Sequence, residues 1–181
     1  MCDITKVCKL LKRKSSKKAK ESYRKFIPTA KKVYGVYSSE VNKIVSKIKD
    51  CDFEFIKQIW RGDHLEEKIL GAKLLGRICN KNPDLTMKLI KKFVKDIDNW
   101  AVCDVLATQG IRKIAKIKQK EILNLSKQLI KSKNLWERRF ALVLLTNYKA
   151  NKLAKEIAKL AKNDKEYYVK KAYEWVEKVI K

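Results

Sequence analysis

The chain predicts an all-α fold: a right-handed α-solenoid of HEAT-like (armadillo-type) helical repeats. Three observations point there. The 181 residues include only five Gly and two Pro, too few turn formers for a β-rich fold, while Lys, Leu, Ile, Ala and Glu dominate and favour helix. Apolar residues recur at helical spacing in segments separated by short polar joints. Residues 64–75 are answered at 134–145, with His64-Leu65-Glu66-Glu67 set against Asn134-Leu135-Trp136-Glu137 and Leu74-Leu75 against Leu144-Leu145, an offset of 70 (134 − 64). Two units of about 35 residues fit that offset, and a helix pair of this length hides its apolar face only by stacking on neighbours. A hydrophobic content of 45% suits one domain over 1–181, with a basic helical segment at 1–28 and repeats over 34–180.

In chain order, residues 3–26 read as a basic amphipathic helix or a pair of short helices, with Ile4, Val7, Cys8 and Leu11 at helical spacing, ended by Pro28. Its Lys12-Arg13-Lys14 and Lys17-Lys18 runs fit either a DNA arm or a solvated helix face. Helices follow over 39–49, 52–60, 65–79, 84–95, 99–108, 118–132, 135–147, 152–162 and 165–180. Most joints are short and polar, such as Arg61-Gly62-Asp63, Asn80-Lys81-Asn82-Pro83 and Asn163-Asp164. Helices joined so tightly lie antiparallel to their neighbours. Asp98-Asn99 suits a helix N-cap.

Forty-five Lys and Arg against 20 Asp and Glu give a net charge of +25. Self-repulsion of that size opposes compaction unless a polyanion relieves it, and nucleic acid is the natural polyanion. No apolar run exceeds the six residues from Phe140 to Leu145, far short of a membrane span, and the start at Met1-Cys2-Asp3 carries no apolar signal region. A soluble, cytoplasmic protein without a membrane partner is expected. Cys2, Cys8, Cys51, Cys79 and Cys103 show no Cys-x-x-Cys spacing and His64 is the single histidine, so neither a disulfide framework, a metal site nor a cofactor is expected.

One constellation stands out. Asp104 and Arg139 are 35 positions apart (139 − 104), at equivalent places of consecutive repeats, and should emerge on the same face of adjacent helices. Trp100 precedes Asp104 by four residues, one turn away on a single helical face. Trp175 lies 36 positions beyond Arg139 (175 − 139) and reaches the same face if the register holds. Asp104 interrupts an apolar helix containing Val102, Val105 and Leu106, an unfavourable place for aspartate. It reads either as a working carboxylate or as the partner of Arg139 in a partly buried ion pair. Trp60 and Trp136 read as core residues, and His64 with Glu66 and Glu67 as a helix start.

The ordered pieces Tyr34-Gly35-Val36, His64-x-Glu66-Glu67, Asp98-Asn99-Trp100-x-x-x-Asp104, Trp136-x-Arg138-Arg139 and Val169-Lys170-Lys171-Ala172-x-x-Trp175 resemble the DNA alkylation repair family, the HEAT-like alkylpurine DNA glycosylases of AlkD type. The resemblance spans roughly residues 34–180. It implies a concave, basic groove that holds duplex DNA and hydrolyses the N-glycosidic bond of N3- or N7-alkylated purines, without extruding the base into a pocket as most glycosylases do; a monomer is expected. It also implies a catalytic Asp104 flanked by Trp100 and Trp175, with Arg139 on the phosphate of the lesion nucleotide and Arg138, Lys170 and Lys171 as further DNA contacts. Family members usually continue through another helical segment after the Trp175 helix, so the chain reads as C-terminally shortened. The competing reading is a non-catalytic basic solenoid that binds nucleic acid or an acidic protein.

Overall fold

A computed structural model describes residues 3–181; Met1 and Cys2 lie outside the described residues. Twelve α-helices are present among them: α1 (Ile4–Arg13), α2 (Lys17–Phe26), α3 (Ser38–Lys47), α4 (Phe53–Trp60), α5 (Leu65–Ile78), α6 (Pro83–Lys95), α7 (Trp100–Val105), α8 (Ile114–Ile117), α9 (Gln119–Leu129), α10 (Leu135–Val143), α11 (Lys152–Lys159) and α12 (Tyr167–Val179). Helix α7 runs on as a π-turn over Leu106–Gly110, and α10 tightens into a 3-10 turn over Leu144–Asn147. The described residues contain no strand, only an isolated bridge between Lys32 and His64.

The basic N-terminal segment is a pair of helices, broken where the Ser16 hydroxyl caps α2 by accepting from the Ala19 N–H. Helix α8 has no counterpart in the sequence-derived pattern. Ile111, Ile114 and Ala115 are buried, but Arg112, Lys113 and Lys116 around them mask the periodicity. The joint after α8 is closed by Lys118, whose ammonium meets both Asp84 and Glu121 at 2.9 Å.

Packing order follows the repeat. The starts of α5, α7 and α10 fall at Leu65, Trp100 and Leu135, successive steps of 35 (100 − 65 and 135 − 100). In space α3 packs on α5, α5 on α7, α7 on α10 and α10 on α12, while α4 backs α5, α9 backs α10, and α11 backs both α9 and α12. The core between these helices holds Leu70, Leu74, Leu75, Val102, Phe140 and Leu144, all wholly withdrawn from solvent. Each such aliphatic or aromatic side chain contributes about 1.5–3 kcal/mol by burial. At one contact the backbones themselves touch: a Cβ on Gly76 would stand 2.1 Å from the Gln109 carbonyl oxygen, so only glycine lets α5 approach the π-turn. Asn147 completes that turn by donating to the Ala107 carbonyl at 3.0 Å.

The N-terminal pair is locked to this stack by a buried carboxylate. Glu66, 0% exposed, accepts from the backbone N–H groups of Tyr34, Gly35 and Val36 at 2.9, 2.7 and 2.9 Å. Gly35 has φ +78, and a side chain there would collide with Lys20 and the Ser16 carbonyl. Glu67 accepts from the Tyr34 hydroxyl at 2.7 Å and from the His64 backbone N–H at 2.9 Å, closing a capping box at the start of α5. The phenol of Tyr23 on α2 donates to the Val36 carbonyl at 2.6 Å. His64 stacks on Tyr34 with ring centroids 3.8 Å apart, which gives the lone histidine a structural post.

Candidate active site

Helix α7 begins abruptly because Asn99 caps it. Its side-chain oxygen accepts the Val102 N–H at 3.0 Å, and its amide donates to Asp98 at 2.8 Å. This fixes Trp100 as the first helical residue, with its indole N–H donating to the Phe26 carbonyl, at the end of α2, at 2.9 Å. One turn later Asp104 meets Arg139 of α10 in a two-point fork. The Arg139 Nε donates to Oδ1 at 2.9 Å and Nη2 donates to Oδ2 at 2.8 Å. Such parallel charge-assisted bonds are strong and fix the plane of the carboxylate.

Arg139 is only 7% exposed, and its remaining terminal nitrogen donates to the Tyr168 carbonyl at 2.6 Å. One guanidinium thus ties α7, α10 and α12 together. The fork that was expected to hold a phosphate is turned onto Asp104, because a cation this deep needs a carboxylate partner. The Asp104 side chain keeps 20% of its surface open. Burial pushes its carboxyl above the ordinary value, with the hydrogen bond and charge of Arg139 opposing. Beneath it Cys103 is fully buried, and desolvation, then the Asp104 charge, raises its thiol far above the usual range. That keeps Cys103 a thiol, with its S–H directed to the Trp136 carbonyl at 3.8 Å.

The aromatic partners are graded in exposure. Trp60 is a core residue at 2% exposed, stacked on Phe93. Trp136 lies half-buried against Tyr168, centroids 5.0 Å apart. Trp175 on α12 is 39% exposed and stands seven residues past Tyr168, about 10 Å along the helix axis at 1.5 Å per residue. Asp104 and Arg139 are brought together directly, Trp100 stands one helical turn before Asp104 on α7, and Trp175 is carried by the helix whose first turn Arg139 grips.

Arg138, expected as a DNA contact, is engaged within the protein. Its guanidinium donates to Asp164 through Nε at 2.7 Å and Nη2 at 3.3 Å, and to the carbonyls of Ser132 and Lys133 through Nη1 at 2.9 and 3.0 Å. Four of the five N–H donors of an arginine are engaged in pinning two loops. Burial raises the Asp164 carboxyl, but Arg138 and the Glu166 N–H outweigh it and leave the pKa lowered. Lys170 and Lys171 are exposed on α12, Lys171 beside Glu174 at 3.0 Å. Two partners of the site escaped the sequence reading, the carbonyls of Phe26 and Tyr168. Both are main-chain groups that any residue supplies, so no side-chain pattern could announce them.

Among the described residues no cluster of three or more His, Cys, Asp or Glu could hold a metal ion, and no helix is long and apolar enough to cross a membrane. No curated protein matched the chain. A family model described as DNA alkylation repair enzyme matches residues 7–177, nearly the whole molecule and every residue of the cluster built around Asp104. The chain belongs to the DNA alkylation repair enzyme family.

Proposed function

We propose that the protein is a monofunctional alkylpurine DNA glycosylase acting as a monomer, which hydrolyses the N-glycosidic bond of N3- or N7-alkylated purines in duplex DNA. The observation that carries this reading is the Asp104–Arg139 fork, one turn from Trp100, in a chain of this family. The order of packing, with α3, α5, α7, α10 and α12 touching in turn, supports an α-solenoid whose row of inner helices lines a basic groove.

An alkylated purine already carries positive charge, so it leaves without a strong general acid. As the C1′–N bond breaks, the deoxyribose gains oxocarbenium character. The C1′–N bonding pair leaves with the base, which departs neutral; water adds to C1′ and loses one proton to solvent, and an abasic site remains. Asp104 faces the developing charge. At an effective dielectric of about 20, a carboxylate about 4 Å away stabilises a unit charge by about 4 kcal/mol, and a guanidinium about 8 Å away opposes it by about 2 kcal/mol. The net of about 2 kcal/mol is roughly 30-fold in rate. Pairing with Arg139 halves the electrostatic term and in return holds the carboxylate rigid. Trp100 and Trp175 add cation–π attraction of about 0.5–2 kcal/mol each. Arg139 acts on Asp104 as a positioning residue, and phosphate contact falls to exposed cations such as Lys170 and Lys171.

The test is release of free base from duplex DNA carrying N7-methylguanine or N3-methyladenine, by the native protein and by Asp104→Asn at temperatures where both are folded. Release that disappears in the variant, with no strand nicks before alkali, is the expected result. No release from the native protein, with salt-sensitive duplex binding intact, would instead favour the non-catalytic solenoid.

A further inference from the structure

Helix α2 of the basic N-terminal segment is docked on the protein by one face, and most of its cations point outward. Ala19 is buried and the Tyr23 phenol is bonded to the Val36 carbonyl, so one face of the helix is committed to the protein. Residues 17–25 hold Lys17, Lys18, Lys20, Arg24 and Lys25 against the single carboxylate Glu21. Lys20 lays its stem against Gly35, while Lys17, Lys18, Arg24 and Lys25 are all exposed. A floating arm loses conformational freedom when it binds; cations on a docked helix have already lost most of it.

Position matters as much as charge. The last carbonyl of α2, that of Phe26, receives the Trp100 indole N–H. From there Lys31 continues into a shallow groove lined also by Trp60, Arg61, Lys68 and Asp98, next to the cap of α7. The cationic face thus begins at the aromatic edge of the candidate site and runs away from it. From Lys17 to Lys25 it extends about 12 Å along the helix axis. One DNA strand presents a phosphate about every 3.4 Å of duplex axis, so this face spans three to four phosphates.

We propose that Lys17, Lys18, Arg24 and Lys25 form a fixed phosphate-tracking surface that grips one strand of duplex DNA on the flank of the site and sets its register against Trp100. The proposal rests on the DNA-repair reading above. Each phosphate neutralised releases counterions and steepens the salt dependence of binding by about 0.9 in the log–log slope.

The experiment compares two variants of equal charge. In one, Lys17, Lys18, Arg24 and Lys25 are all changed to Gln. In the other, Lys152, Lys155, Lys159 and Lys162, on and just after α11, are changed to Gln. Affinity for a short undamaged duplex is measured by fluorescence anisotropy across a salt series, with circular dichroism confirming that both variants fold. The expected result is a slope reduced by about 3 to 4 in the α2 variant and by less than about 1 in the α11 variant. Equal slopes in the two variants would overturn the proposal, because binding would then follow net charge rather than place. Unchanged duplex binding with lost affinity for single-stranded RNA would overturn it as well. Absence of base release from the native protein would remove the glycosylase reading, yet the slope comparison would still decide the surface.

Discussion

Arg139 donates to the main-chain carbonyl of Tyr168 at 2.6 Å while its other two nitrogens hold Asp104. The carboxylate is therefore positioned by a group that is itself held by two helices, and its plane depends on the packing of α12 as well as α10. Lysine keeps the charge but offers no planar fork. Arg139→Lys is expected to lower single-turnover base release by about 10- to 100-fold, corresponding to about 1.4–2.7 kcal/mol, with a smaller effect on duplex affinity. A loss of affinity as large as the loss of rate would show that Arg139 works on DNA directly.

Asp104→Asn removes charge without removing shape. The remaining amide oxygen accepts one Arg139 donor, but the guanidinium stays buried with an incomplete set of partners. Breaking a fully buried pair costs about 3–5 kcal/mol; with a fifth of the Asp104 side chain open to water, a cost of about 1–3 kcal/mol is expected in urea denaturation. Base release should be absent even where the variant is fully folded. Release at near-native rate from a folded, destabilised variant would reduce Asp104 to a structural ion pair.

Acid should silence the enzyme earlier than an ordinary aspartate would. Burial raises the Asp104 pKa above 3.8 and Arg139 only partly restores it. A group whose folded pKa is raised favours the fold in its protonated form; that contribution is full below the unfolded pKa and is lost as pH rises through the folded one. Near neutrality the ionised carboxylate is thus held at a cost in stability, in the form the proposed chemistry uses. Single-turnover release, corrected for spontaneous depurination, should fall on acidification at a pH above the ordinary aspartate range. An acid limb at or below about 3.9 would assign the titration elsewhere.

The helix pattern and the Asp104–Arg139 register were legible because both ride on the 35-residue repeat, which places Leu65, Trp100 and Leu135 at equivalent helix starts. The partners of Arg138 were not legible for a local reason: it shares the motif with Arg139, and sequence spacing cannot show that Asp164, 26 residues on, closes over it at 2.7 Å. The N-terminal lock was hidden for a different one. Glu66 reads as a first-turn acid of α5, yet its three acceptor bonds go to backbone groups near residue 35, and backbone donors carry no sequence signature. Helix α8 is too short to show a period.

That lock makes a prediction of its own. Glu66→Ala leaves three buried N–H groups without an acceptor, each costing about 1–3 kcal/mol. A destabilisation of at least about 3 kcal/mol is expected, concentrated on the N-terminal pair, so amide exchange should accelerate first at Tyr34, Gly35 and Val36. Uniform acceleration across α5 to α12 would mean that Glu66 supports the whole stack rather than the docking of α1 and α2.

Trp175 and Trp60 offer a test of function against packing within one residue type. Trp60 is 2% exposed and stacked on Phe93, whereas Trp175 is 39% exposed on the helix held by Arg139. Trp60→Ala opens a cavity in the core and should cost about 3–5 kcal/mol, while base release per folded molecule stays near native because no atom of Trp60 belongs to the site. Trp175→Ala gives up little buried area, so its unfolding midpoint should shift by less than about 1 kcal/mol. It also removes a cation–π face of about 0.5–2 kcal/mol, and release should fall by about 2- to 30-fold. The decisive comparison is rate against stability measured on the same two variants. If Trp175→Ala unfolds as easily as Trp60→Ala and releases base normally while folded, then its indole is a packing residue that happens to be open to solvent, and the aromatic flank of Asp104 is Trp100 alone.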